Sequence, residues 1–199
     1  MRYTLAVLSH GDTNIREHAL ASFQEMVTPA PEAIVNHHDD NSIGFCRSTQ
    51  ALWGMVSRLD SEFVFWLEHD FVITKPIDLT LVSSVLRLRP QLAQVAFFRT
   101  PVNERERNAG GVYQMHPATD YRPQQEAGAR WLEHRINFTT NPSLMRRQVM
   151  VDNPWPDYSS ECEGKFSADF LARGYHFAYW GDGEPWVAHD GPLRTGHSY

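Results

Sequence analysis

Apolar and polar positions along this chain alternate between short apolar runs and longer stretches with helical spacing. Tyr3-Thr-Leu-Ala-Val-Leu8 reads as a buried first strand, and Ser9-His10-Gly-Asp12-Thr-Asn14 follows as a loop rich in residues that start helices. Ile15, Ala19, Phe23 and Met26 then recur at helical spacing. Ala33-Ile-Val35 fits a second strand, and His37-His-Asp-Asp-Asn-Ser-Ile-Gly44 is a polar loop. Phe45, Leu52, Val56 and Leu59 place one apolar stripe on the next helix, before a strand over 63–67. Leu79 to Leu88 reads as a helix and Leu92-Ala-Gln-Val-Ala-Phe-Phe98 as another buried strand. This β-α-β-α-β order predicts an α/β fold with a mainly parallel, twisted sheet flanked by helices, and a ligand site at the carboxyl ends of its strands.

Beyond that point the pattern weakens. Residues 99–131 are polar, hold Asn108-Ala-Gly-Gly111 and several prolines, and show no sustained period, so a structureless loop, functional or disordered, is expected, with 99–135 as a mobile segment able to close over donor or acceptor. Ile136-Asn-Phe-Thr-Thr140 reads as a strand, and Asn141-Pro142 as a helix cap with proline at the first helical position. Phe166, Phe170 and Leu171 mark a helix ending before Gly174, and Tyr175-His-Phe-Ala-Tyr-Trp180 returns as a strand. With 42% hydrophobic and 12% aromatic residues, 199 residues suffice for one large core, so a single domain is expected over 1–199. Its parts are a nucleotide-binding half (1–98), the loop, and an acceptor half with a C-terminal tail (136–199).

The chemistry concentrates where an apolar run meets carboxylates, in Phe63-Val-Phe-Trp-Leu-Glu68-His69-Asp70-Phe-Val-Ile73. On an extended backbone the side chains of residues 68 and 70 lie on one side, so both carboxylates can aim at one point. A hard cation such as Mg²⁺ or Mn²⁺ takes one or two carboxylates together with a substrate diphosphate. The plainer alternative is a solvated strand end whose acids cap a turn. A net charge of −6 argues against a nucleic-acid partner and means that an anionic substrate needs a metal or local arginines. Two cysteines, Cys46 and Cys162, are too few for a disulfide framework. No apolar stretch approaches the length of a signal or an integral membrane segment. The expectation is a soluble, cytoplasmic protein with reduced thiols.

Other clusters carry two readings each. In Ser159-Ser160-Glu161-Cys162-Glu163 either glutamate can serve as a general base, while Ser160 and Glu163 also match a capping box. At the end of the chain, His189 can bind a metal, and Arg194 and His197 can meet phosphate oxygens; an exposed terminus is the alternative. Asp39 and Asp40 are placed to accept hydrogen bonds from a base or ribose, and Arg16 and Arg47 stand near helix starts where phosphates can approach. For each of these singly, a solvated surface charge is the simpler reading.

Taken together, Ser9 to Leu20 with Arg16, His38-Asp39-Asp40-Asn41-Ser42, the run Asn41 to Gln50, and Glu68-His69-Asp70 resemble the GT-A fold of nucleotide-sugar-dependent glycosyltransferases. The likeness is to the large inverting family 2, which includes chitin, cellulose and hyaluronan synthases. Glu68-His69-Asp70 is similar to that family's metal-binding Asp-x-Asp motif, with Glu in the first place. Glu163 precedes Gly174-Tyr175 by about three helical turns, the spacing at which the family carries its catalytic base. Cys162 here separates two glutamates where the family has Asp after Glu.

The resemblance implies a metal-dependent inverting glycosyltransferase that moves a sugar from a nucleoside-diphosphate sugar, with UDP-sugars favoured, to a hydroxyl of a protein or glycan. Glu163, with Glu161 in reserve, would be the base, and Asp70 and His189 would hold Mn²⁺ or Mg²⁺. His10, Asp12, Arg16, Asp39, Asp40, Arg47, Glu68 and Arg194 would bind the donor. The rival readings are a nucleotidyltransferase, a non-catalytic nucleotide-sugar-binding module and a hydrolase. The first would need a Gly-rich phosphate loop that Ser9-His10-Gly-Asp12 lacks.

Overall fold

The computed structural model describes residues 1–11, 13–157 and 160–190. In chain order its elements are β1 (Tyr3–Ser9), α1 (Thr13–Met26), β2 (Val27–Thr28), β3 (Ala33–His38), α2 (Phe45–Val56), β4 (Phe63–Glu68), β5 (Phe71–Ile73), β6 (Ile77–Asp78), α3 (Leu79–Leu88) and β7 (Leu92–Ala96). There follow α4 (Glu104–Ala109), β8 (Tyr121–Glu126), β9 (Ala129–His134), β10 (Ser143–Arg146), α5 (Arg147–Asp152), α6 (Cys162–Ala172), β11 (His176–Trp180) and β12 (Val187–His189).

An eight-stranded sheet in the order β3-β1-β4-β10-β7-β11-β9-β8 forms the middle layer. From the pairings, β1, β3, β4, β7, β8 and β11 run one way and β9 and β10 the other, so the sheet is mixed but mainly parallel. Short β5 and β12 pair with each other, as do β2 and β6. Alternation along the central strands sends side chains to two cores. Leu5 and Val7 of β1 and Phe63, Phe65 and Leu67 of β4 meet α1 and α3 on one face. Ala6, Leu8, Val64 and Trp66 point the other way, to Leu52 and Trp53 of α2 and Phe166 and Phe170 of α6.

Three expectations are corrected. Residues 136–140 form no strand, and Asn141-Pro142 caps no helix: the segment 135–142 is loop, the strand comes after it as β10, and α5 begins at Arg147. Phe138 of this segment is nonetheless central, buried against Trp53, Phe166 and Phe170. The region 99–131 is not structureless, because it holds α4 and the hairpin strands β8 and β9 that extend the sheet. Finally, the thiols are not reduced: Cys46 at the start of α2 and Cys162 at the start of α6 are joined in a disulfide with Cα atoms 5.8 Å apart. Both helices pack on the same face of the sheet, which brings together two residues 116 apart in sequence.

Candidate active site

Parallel β1, β3, β4 and β7 all end on one rim of the sheet, and antiparallel β10 starts there. Leu8 lies beside Glu68 and Ser9 beside His38, so the loop after β1, the loop after β3 and the Glu68-His69-Asp70 triplet are neighbours. Loop 135–142 is tied to the same rim by the Phe97 N–H, which donates to the Pro142 carbonyl at 2.9 Å. A cavity of about 400 Å³ opens at this rim, and its wall includes Glu68, Arg99, Glu106, Thr140, Glu163, Tyr179 and His189.

Glu68, His69 and Asp70 are buried, but not on one extended strand: β4 stops at Glu68, residues 69 and 70 form a turn, and β5 starts at Phe71. The turn sends Asp70 towards the chain's returning end. There β12 pairs antiparallel with β5, and the Asp190 N–H donates to the Asp70 carbonyl at 2.7 Å. Oδ2 of Asp70 lies 3.0 Å from Nε2 of His189; Asp70 is buried and His189 is slightly exposed. His189 and Glu68 line the same cavity, so the pair and the triplet's first acid share one place. Among the described residues no set of three or more His, Cys, Asp or Glu is arranged around a common metal position.

Glu163 stands in the first turn of α6 and faces the cavity. The Thr140 N–H and the Thr140 hydroxyl both donate to Oε1 of Glu163, at 2.7 and 2.8 Å. The capping box with Ser160 does not form: Glu161 takes the N-cap position in a left-handed conformation, with no side-chain cap. Burial raises the Glu163 carboxyl above the usual carboxylate range, and the two Thr140 bonds and the nearby Arg99 charge offset this only in part. A carboxyl raised in this way is a stronger proton acceptor than an ordinary glutamate. Glu161 is exposed and does not line the cavity.

Several wall residues were not singled out from the sequence. Arg99 forks onto Glu106 at 2.7 and 2.9 Å, and Glu106 also accepts from the Val102 N–H and the Asn103 amide. Burial works to raise the Glu106 carboxyl, but these bonds and the Arg99 charge hold it below its ordinary value. The pattern Asn103-x-x-Glu106 is a capping signature, with Asn103 accepting from the Glu106 N–H, and could have located α4. Tyr179 is sandwiched between Phe98, at 3.8 Å, and His134, at 4.8 Å between ring centroids. Burial pushes the His134 imidazole down to about 3, so it stays neutral.

The nucleotide-side candidates are gathered less tightly. Asp39 accepts from the N–H groups of Ile43 and Gly44, which shapes the loop ahead of α2 and outweighs its burial to lower its carboxyl. Asp40 is exposed, 3.2 Å from Nε2 of His38. With its amide oriented to satisfy both ends, Asn36 of β3 accepts from Arg16 Nη1 at 3.2 Å, so Arg16 reaches from α1 to the same rim. His10 meets His69 edge to face, 4.6 Å between ring centroids. Arg47 is exposed on α2. Asp12, Arg194 and His197 lie outside the described residues.

No protein-family model matches the sequence, and no curated protein does either. Among solved structures, residues 1–349 of TarS from S. aureus match with a TM-score of 0.60 at 16% identity, over 95% of this chain and 60% of that one. The chain thus spans less than two thirds of that structure, and the likeness is one of fold. It is a single mixed α/β domain with a mostly parallel sheet between helices, similar in fold to that part of TarS.

Proposed function

We propose that this chain is an inverting glycosyltransferase that moves a sugar from a nucleoside-diphosphate sugar, UDP-sugars being favoured, to a hydroxyl of a glycan or protein. The observation that carries the reading is Glu163: a carboxyl raised by burial and held by Thr140, in the wall of a cavity that also contains Glu68 and His189. Glu163 takes the proton of the acceptor hydroxyl as its oxygen attacks the anomeric carbon, and the bond from that carbon to the diphosphate oxygen breaks. His10, Arg16, Asp39, Asp40 and Arg47 are the described residues of the nucleotide side. Glu68 supports the donor ribose or the metal shell.

Asp70 and His189 fit a Mg²⁺ or Mn²⁺ ion. They are a carboxylate and an imidazole side by side at the cavity, with Oδ2 and Nε2 3.0 Å apart, and they would hold the ion together. Two protein ligands would leave room for donor oxygens and water, which Mg²⁺ commonly keeps. Such an ion supplies stabilisation of the charge on the departing diphosphate.

The test is a thermal-shift screen of UDP, GDP, CDP and their sugars, each with and without Mn²⁺. A ligand at a hundred times its Kd adds about 2.7 kcal/mol of stability, and the donor should give this only with metal. With that donor, Glu163→Gln should lower turnover by about 10² to 10⁴-fold while the donor-induced shift persists. Full turnover in Glu163→Gln would remove the base role.

A further inference from the structure

The hydrogen bonds around Glu163 lead away from α6 to a buried side chain in the middle of the sheet. Gln94 of β7 is fully buried in the central part of the sheet. Its Nε2 donates to the Thr139 carbonyl and its Oε1 accepts from the Thr139 N–H, both at 2.9 Å. The side-chain amide thus bonds to Thr139 as a neighbouring strand would, at a point where loop 135–142 has no strand partner. The same Nε2 reaches the Ser143 hydroxyl at 3.2 Å. On the other side of the loop, the Phe138 N–H donates to Ser167 Oγ, which donates to the Glu163 carbonyl, both at 2.7 Å. Residues 138 and 139 are therefore fixed to β7 and to α6 at once, and Thr140 is left with a single place to stand.

From that place both of its donors fall on one oxygen. Thr140 is buried, and its N–H and hydroxyl reach Oε1 of Glu163 from the same residue. Among the described residues nothing donates to Oε2. We infer that Thr140 is a positioning residue for Glu163: it anchors Oε1, fixes the plane of the carboxyl and leaves Oε2 as the oxygen that serves the cavity. This deepens the proposed function and rests on its assignment of Glu163 as the base.

Thr140 also sets how basic that carboxyl is. Hydrogen bonds to the charged form favour ionisation and burial disfavours it, so the Thr140 hydroxyl keeps Glu163 from rising further. Arg99 acts in the same direction from a distance, and Tyr179, whose own hydroxyl is raised by burial, faces the same cavity. Thr140→Val keeps the shape and the backbone N–H but loses the hydroxyl. Thr140→Ser keeps the hydroxyl.

The experiment is a carbon-13 NMR titration of side-chain carboxyls in the full chain, with the Glu163 signal identified by its disappearance in Glu163→Gln. The midpoint should move to higher pH in Thr140→Val and return to the parent value in Thr140→Ser. With a donor in hand, turnover below that midpoint should fall about tenfold in Thr140→Val, the scale of one hydrogen bond to a charged group. Thr140→Ala supplies a second variant without the hydroxyl should Val fail to fold. A midpoint indifferent to the hydroxyl overturns the inference, whatever Glu163→Gln does to turnover. Turnover indifferent to Glu163→Gln overturns the base reading, wherever the midpoint lies.

Discussion

A carboxyl that burial raises is a cost to the fold at neutral pH, and Glu163 lets this be measured. Below the ordinary glutamate value the group is neutral in both folded and unfolded chains and contributes no penalty. Between that value and the raised value of the folded state, the folded chain binds the extra proton, so stability falls as pH rises through the window. Glu163→Gln keeps an oxygen for Thr140 and never ionises. It should therefore melt higher than the parent at pH 7, with the difference closing towards pH 4, each kcal/mol being worth about 2–4 °C in a domain of this size. Equal melting temperatures at both pH values would contradict the burial argument. Glu163 was singled out in the sequence by a spacing to Gly174-Tyr175 that resembles family 2, and such a spacing is a local quantity. Thr140 and Arg99 were not, because what gives them meaning is contact with residues 23 and 7 positions away that only the folded chain brings near.

Among the elements, those with a clean period were readable. The helix over 79–88 and the buried run of β4 appear as the pattern requires, since each carries its own apolar face. The failures share a physical cause. The stretch 136–140 has strand composition, yet its partner is a side chain: Gln94 satisfies Thr139 and removes the need for a ladder. Polar β8 sits at the sheet edge, with Arg122, Pro123 and Gln125 towards solvent, and so shows no apolar alternation. Gln94→Leu has similar volume but leaves the Thr139 N–H and carbonyl unpaired in a buried place. At about 1–3 kcal/mol for each unsatisfied group, urea unfolding should show a loss of several kcal/mol. A variant as stable as the parent would mean that the loop finds other partners.

Over the whole molecule, the α/β class and the convergence of polar loops on one rim followed from the order of elements alone, because parallel strands separated by helices must end on the same side. The eight-strand order, with β10 inserted antiparallel between β4 and β7, did not, since nothing in the residues of β10 marks which two strands it separates. The bond between Cys46 and Cys162 was equally hidden: it depends on two helices meeting across a face of the sheet. That bond makes the backbone between the two cysteines a closed ring, and exposed Arg105 and Arg107 lie on its circumference. Trypsin cutting there opens the ring without dividing the molecule. The nicked protein should run as one species on a gel without reductant and as two with it, and two species without reductant would show that the ring is not closed. A chain cut beside its own cavity would then still be a single covalent object, with β7 and loop 135–142 held to one another by the far side of the circle.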